Sequence, residues 1–421
     1  MSSIRLIVAL GLAAGLAAPQ GALALSLQEA IALAQRNNPG LAQTKAQTEV
    51  AEARLAQARA GRLPALTLSG EAGQGTTDLG GFFGFGQADV SPRAAALELR
   101  QPLFTGGAVS AAIERARQGR EAALAQAGGA KALLAAQAAE AYVAVLSARE
   151  ILALNEAQVR QMSEIADQAG WRFKGGETPR SDLAQSQARL AEARAGLARA
   201  SGDFARTRAH FASVVGVEPN SLELLPAPTS IPPSLDEAMA KAMQSSPALI
   251  AAQAQARAAE AGVRYAGAER LPSLALTATA SSVRDQFFPG YSADGMTVGV
   301  QGRWTLFAGG LINGRVAEAR AEARGAQSAV ESARAQIREA VFGAWEDIQT
   351  SRALVEAAAD RASAATIALE SVRHEVRVGQ KPTLDLLDAE RDALAAQSAG
   401  VAARGAAVAA AYHLNALLNG E

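Results

Sequence analysis

SLQEAIALAQRNNPGL, residues 26–41, returns as SLDEAMAKAMQSSPAL at residues 234–249, and LPALTLSG at 63–70 returns as LPSLALTA at 271–278. Both pairs give one offset, since Pro39 and Pro247, like Pro64 and Pro272, stand 208 residues apart. Further along, QPLFTGG (101–107) is echoed by WTLFAGG (304–310), and ETPRSDLAQSQARL (177–190) by QKPTLDLLDAERDAL (380–394). Here the offset is 203, as Gly106 and Gly309 show, and again Asp182 and Asp385. The chain is therefore one unit written twice. The five residues lost between the two blocks fall in the Gly-rich segment around Leu79 to Asp89, which reads as a loop tip because length changes are tolerated there.

Each copy reads as helix, strand, loop, strand, long helix, turn, helix. Leu27 to Gly61 is helical by composition and Pro64 closes it. The period then changes to two: Leu66 and Leu68 oppose Thr67, Ser69 and Glu71, and Leu97 and Leu99 oppose Glu98 and Arg100. In the second copy Leu274 and Leu276 oppose Thr277, Thr279 and Ser281, while Val298, Val300, Trp304 and Leu306 oppose Thr297, Gln301, Arg303 and Thr305. A soluble antiparallel sheet shows the same alternation, so this pattern alone does not choose between a soluble sheet and a membrane barrel.

After each hairpin comes a proline-free helix, about 106–173 and 309–376. At about 1.5 Å per residue it spans roughly 100 Å. The shorter helices, 27–61 and 179–216 in the first copy, together cover the same distance. The domain plan is a first repeat at 25–216 (hairpin 63–104), a proline-rich connector at 217–233, and a second repeat at 234–421 (hairpin 271–307, last helix 382–418).

Composition fits long helices. Apolar residues make up 49% of the chain but aromatics only 4%, so alanine carries the difference; it favours helix, yet each copy buries little area and long contacts are needed. Residues 1–24 read as a secretory signal, with Arg5 as the positive region, Leu6 to Ala18 as the apolar stretch and Ala22-Leu23-Ala24 as the cleavage site. Without Arg5 there are 39 basic and 41 acidic residues, a balance of −2, which argues against nucleic acid. No cysteine occurs, which excludes a disulfide framework and lipid attachment through one. No run of about 18 apolar residues follows the signal.

Two hairpins supply four strands, and an open four-stranded sheet in lipid leaves unpaired edges. Several chains must then share one barrel. Three give twelve strands, an acceptable even number that the strand count alone does not fix.

The paired LPxLxLxG-like strands, the paired PLF-x-GG and LF-x-GG blocks and the paired G-x-x-P-x-x-D-L turns resemble the TolC family of outer-membrane efflux proteins over essentially the whole mature chain. The resemblance implies a mixed α and β membrane protein: a homotrimer with a twelve-stranded outer-membrane β-barrel, four strands per protomer, continuous with a periplasmic α-helical barrel. Implied partners are outer-membrane lipid, a periplasmic adaptor, and an inner-membrane transporter that is either proton-driven or ATP-driven. Strand residues Glu98, Arg100, Gln301 and Arg303 would face the lumen, and the tips at Gly175, Gly176 and Gly379 would dock the adaptor. Glycine at such a turn is also simply a helix C-cap.

By the same resemblance the run DLLDAERD is the acidic periplasmic entrance. Asp385, Asp388 and Asp392 stand at i, i+3 and i+7 on one helix face, which symmetry would turn into a cation-concentrating ring. Lys381 and Asp182 are the implied closing link. Asp182 and Asp385 equally fit as first-turn acids stabilising a helix dipole after a proline. Asp388 lies a turn deeper and its counterpart is the uncharged Gln185; a local pair with Arg391 is its alternative role. Where the family often carries an aromatic hydroxyl, this chain has Val376 and Phe173. Phe82, Phe83, Phe85, Phe287, Phe288 and Tyr291, in the outward loops, either narrow the mouth or anchor at the membrane interface.

Catalysis has little support. His210, His374 and His413 have no ligand-like spacing, and the Gly pairs at Gly106 and Gly309 lack the lysine of a nucleotide loop; no metal or cofactor is expected. The rival reading is a soluble periplasmic coiled-coil scaffold or adhesin, which leaves four amphipathic strands without a purpose. Mild detergent extraction separates the two: a heat-modifiable oligomer in the outer-membrane fraction is expected, and a soluble monomer would count against the function that the resemblance implies, an outer-membrane exit duct for efflux of small molecules or type I protein secretion.

Overall fold

The computed structural model describes residues 24–78, 80–81, 86–225 and 230–418. The signal segment up to residue 23, part of the connector, and Phe82, Phe83 and Phe85 lie outside the described residues. The element order is α1 (Leu27–Asn37), α2 (Pro39–Ala60), β1 (Ala65–Ala72), β2 (Gly75–Asp78), β3 (Gln87–Val90), β4 (Arg93–Phe104), α3 (Ala108–Lys174), α4 (Arg180–Val215). The second copy follows as α5 (Leu235–Ser245), α6 (Pro247–Ala268), β5 (Ser273–Arg284), β6 (Ser292–Arg303), α7 (Leu311–Arg377) and α8 (Thr383–Leu418). Helix lengths match copy for copy at 11, 22, 67 and 36 residues.

Two expectations change. The first helix of each copy is two helices, broken before Pro39 and Pro247, because a proline disfavours helical backbone at the preceding residue. Asn38 turns that break into a cap, its side chain accepting from the Gly40 and Leu41 amides. The starts of α1 and α5 carry a second signal that periodicity does not reveal, the S-x-x-E capping box. Glu29 N–H donates to Ser26 Oγ at 3.3 Å, and Ser26 N–H to Glu29 Oε2 at 2.9 Å. The Ser26 N–H bond foremost, and the Ser26 hydroxyl that also donates to Glu29 Oε2 at 2.9 Å, hold the Glu29 carboxyl below its ordinary range. Glu237 N–H donates likewise to Ser234 Oγ.

The first hairpin also divides. β1 pairs with β4, and beyond Gly73 and Pro92 a separate ladder joins β2 to β3. Pro92 lacks an N–H for the ladder, and its carbonyl accepts from Gly73 N–H at 2.9 Å.

The main sheet is antiparallel in the order β1-β4-β5-β6, so β1 and β6 are its edges. Its register lines up Leu66, Leu99, Ala278 and Val298 across four strands, and next to them Leu68, Leu97, Ala280 and Met296. Thr67, Glu98, Thr279 and Thr297 form a row on the opposite face. The apolar rows are uncovered within the chain: Leu68 is 75% and Met296 77% exposed.

The compact units are not the sequence repeats. The described parts of Met1–Asn37, Gln137–Pro228 and Leu354–Ala409 form one unit; Asn38–Ala136, Thr229–Ala353 and Ala410–Glu421 form the other. Each draws on both copies because α3 and α7 contribute to both units. The sheet belongs to the second unit, whose core joins Leu249 of α6, Val330, Ile337, Val341 and Ile348 of α7, and Leu414 and Leu418 of α8.

In the first unit, Leu25 bridges to Leu222 in parallel and Tyr142 lies beneath both. Its hydroxyl sits 2.8 Å from the Leu25 carbonyl and 3.0 Å from that of Glu223. Burial, then the charge of Glu223, push that hydroxyl up to about 12, so it remains a donor at any ordinary pH. A stretch of α3 is long and apolar enough by composition to cross a membrane, but 56% of it is buried inside the fold, as befits an alanine-rich core helix.

Close helix approach depends on missing side chains. A Cβ on Gly405 of α8 would meet Ser147 Oγ at 2.8 Å and Val143 Cγ1 at 2.9 Å on α3, whereas one on Gly400 meets only Arg404 at 3.7 Å. Gly405→Ala is expected to cost about 1–3 kcal/mol by overpacking, read as a lowered melting temperature. Gly400→Ala should be neutral or gain up to about 1 kcal/mol from helix propensity. Equal melting temperatures would contradict the packing account.

Candidate functional site

Four sets of residues carry the chemistry of interest. On the sheet, Glu98, Arg100, Gln301 and Arg303 share one face by strand parity. Arg100 Nη1 donates to Gln301 Oε1 at 3.1 Å, reaching across β5. In the loop between β5 and β6, Phe287 and Phe288 each meet the Tyr291 ring edge-on, at 5.1 and 5.3 Å between centroids.

The two helical turns have the same hydrogen-bond ladder. Gly175, Gly176 and Glu177 N–H groups donate to Trp171, Phe173 and Arg172 carbonyls; Val378, Gly379 and Gln380 donate to His374, Val376 and Glu375. Gly176 and Gly379 have φ of 76° and 77°, a left-handed backbone that disfavours a side chain. Gly175 is different, since its counterpart is Val378 and the turn does not need glycine there.

An ion pair accompanies each turn, with its polarity reversed. Arg172 before the first turn reaches Glu177 after it at 3.6 Å; Glu375 before the second is reached by Lys381 after it at 2.8 Å. The implied link from Lys381 to Asp182 is replaced within the chain by this local pair. Glu375, one turn back across the hairpin, outcompetes a more distant carboxylate, and its hydrogen bond raises the Lys381 pKa. Asp182 accepts from the neighbouring Ser181 hydroxyl at 3.3 Å and sits in the first turn of α4. Val376 packs against Leu369, Leu386 and Ala393.

The acidic face of α8 is largely paired. Asp388 Oδ1 accepts from Arg189 Nη2 of α4 at 3.0 Å and lies 3.7 Å from Arg391 Nη1. Arg391 also reaches Asp392 at 3.4 Å. Asp385 is in the first turn of α8 and takes part in no ion pair among the described residues. The sequence reading missed Arg189, and also Glu390, which is only 3% exposed and accepts from Arg373 at 2.6 Å. Its signal was there: Glu390 falls on the buried stripe of Leu386, Leu387 and Ala393, an acid at a core position.

A polar cavity of about 570 Å³ lies beside this pair, lined by Glu164, Trp171, Arg172, Arg373, Arg377 and Glu390 among others. Among the described residues no group of His, Asp and Glu is arranged to hold a metal ion.

Comparison with known proteins sets these features in context. The family model described as outer membrane efflux protein matches residues 30–217 and again 238–420, once per repeat. The chain is 30% identical over 402 residues to the outer membrane efflux protein BepC of Brucella suis biovar 1 (strain 1330), covering 95% of this chain and 86% of that protein. It superposes on the crystal structure of a membrane protein from Pseudomonas aeruginosa with a TM-score of 0.83 at 22% identity, covering 93% and 90% of the two chains. The Campylobacter jejuni CmeC outer membrane channel gives 0.81 at 17% identity, with 94% and 85% covered.

The Glu390 pair makes a stability prediction. Arg373→Ala leaves a buried carboxylate unpaired and should cost about 3 kcal/mol or more, whereas Arg373→Met combined with Glu390→Leu should recover most of that. Thermal melting of the extracted protein reads both. A single variant as stable as the parent would show that Glu390 finds another partner.

Proposed function

Because the chain belongs to the outer membrane efflux protein family, we propose that it closes with two further copies of itself into a twelve-stranded barrel continuous with a periplasmic α-helical barrel. This assembly serves as the outer-membrane exit duct for an inner-membrane pump joined through a periplasmic adaptor. In this reading Glu98, Arg100, Gln301 and Arg303 line the channel, Leu66, Leu68, Met296, Val298 and Val300 face lipid, and the turns at Gly175–Gly176 and Gly379 meet the adaptor. Asp182, Asp385, Asp388, Asp392 and Lys381 stand at the periplasmic entrance.

The observation that carries the reading is the sheet itself, with two unpaired edges and an uncovered apolar face. In water that face is an association hazard; in lipid it is in its solvent, and only the edges remain to be satisfied. A soluble scaffold explains neither property.

The duplication supplies a template for satisfying them. β4 and β5 already join the two hairpins within the chain, with Arg100 opposite Thr277. Shifting β4 forward by 203 and β5 back by 208 places Arg303 of β6 opposite Ser69 on β1 of the next copy. Glycine geometry agrees. A Cβ on Gly106 (φ 60°) would lie 2.8 Å from both the Ala268 carbonyl and the Leu271 Cβ. Its counterpart Gly309 (φ 56°) has the same backbone with open space beside it, a slot fitting Ala60 and Leu63 of the next copy.

With no native cysteine, the register is testable by crosslinking. Ser69→Cys combined with Arg303→Cys should give, on oxidation in membranes, a ladder of two and three linked chains that collapses with reductant. Neither single variant should do so. Only monomer after oxidation would reject this junction.

A further inference from the structure

The α4/α8 end holds a charge arrangement that the sequence pattern did not show. Asp388, the acid that stands out on α8, is met by the Arg189 guanidinium at 3.0 Å, with Arg391 3.7 Å from the same carboxylate oxygen. Arg189 is itself fastened, its second terminal nitrogen donating to Glu192 Oε2 at 2.9 Å on the same helix. Arg189 is 29% and Asp388 43% exposed in their side chains, so the pair lies at the surface, where ions reach it.

The fold does not require this arrangement. At the repeat offset of 203, Asp388 corresponds to Gln185 and Arg391 to Ala188, while Arg189 corresponds to Asp392. The same helical hairpin is therefore built in the first copy without a carboxylate at the position of Asp388 or a guanidinium at that of Arg391. By contrast, Glu390 is only 3% exposed, and Arg373 is accounted for as the partner that neutralises that buried carboxylate.

We propose that Arg189 sets the ionic selectivity of the entrance by masking Asp388, so that a ring of these carboxylates is charge-compensated and does not gather multivalent cations. The inference rests on the duct reading above. A multivalent cation binding Asp388 must first displace a guanidinium that is oriented by a second carboxylate. Removing Arg189 takes the guanidinium from both Asp388 and Glu192 and leaves Asp388 only the longer contact to Arg391, which Asp392 shares; symmetry brings the uncompensated charges together. Arg189 is a positioning residue here, acting through Asp388.

Planar-bilayer recording of the purified oligomer with lanthanum ions on the entrance side tests this. Arg189→Gln should be blocked at about tenfold lower lanthanum than the parent, the order expected when several like charges act on a trivalent ion near water. Arg189→Lys, which keeps the charge, should stay near the parent, and adding Asp388→Asn to Arg189→Gln should abolish the gain in sensitivity. Arg189→Met serves the same comparison where the Gln variant does not fold. A parent as sensitive as Arg189→Gln, or a double variant still as sensitive, would overturn the masking role. A parent that gives no conductance steps at all would overturn the duct reading, and the inference with it.

Discussion

A β-sheet edge presents N–H and C=O groups that hydrocarbon cannot satisfy, and this sheet has two such edges, β1 and β6. Everything else in the chain is compatible with many assemblies; this one fact is not. It makes the protomer an incomplete solvation unit, satisfied in the middle by the seam between β4 and β5 and unsatisfied at both sides. Duplication is the economical answer, because a seam that works once inside the chain can be used again between chains. The glycines at 106 and 309 belong to the same logic, with one slot filled within the chain and the other open.

The helical part meets a different constraint. Small side chains bury little area each, so stability comes from length and closeness rather than bulk. The two 67-residue helices supply the length, and Gly405 against Val143 and Ser147 supplies the closeness. Larger groups are spent where chain segments must be pinned: Tyr142 holds the segment around Leu25 to that around Glu223, and Phe211 packs beside its ring at 6.4 Å between centroids.

Much of this was legible in the sequence because it is periodic. Strand faces, the long helices and the order of elements follow from alternation, proline positions and self-similarity. The breaks at Asn38 and Ser246 were legible in principle, since each precedes a proline, but helical composition on both sides masked them. The division of the first hairpin needed Pro92 to be weighed as a missing donor. At the candidate site the sequence singled out Asp388 but not its partner: Arg189 lies 199 residues away and its pairing depends on how α4 and α8 face each other. Lys381 shows the converse: within the chain it meets Glu375, only six residues off, a local partner that sequence distance alone made legible.

The two helical turns share one backbone ladder but carry opposite charge order, Arg172 then Glu177 in the first and Glu375 then Lys381 in the second. In a three-copy assembly, a binding protein that touches only backbone would meet six interchangeable turns. One that reads charge would meet two alternating kinds, three of each. The same rim thus offers sixfold and threefold symmetry at once, and the chemistry of the visitor's contact decides which of them it obeys.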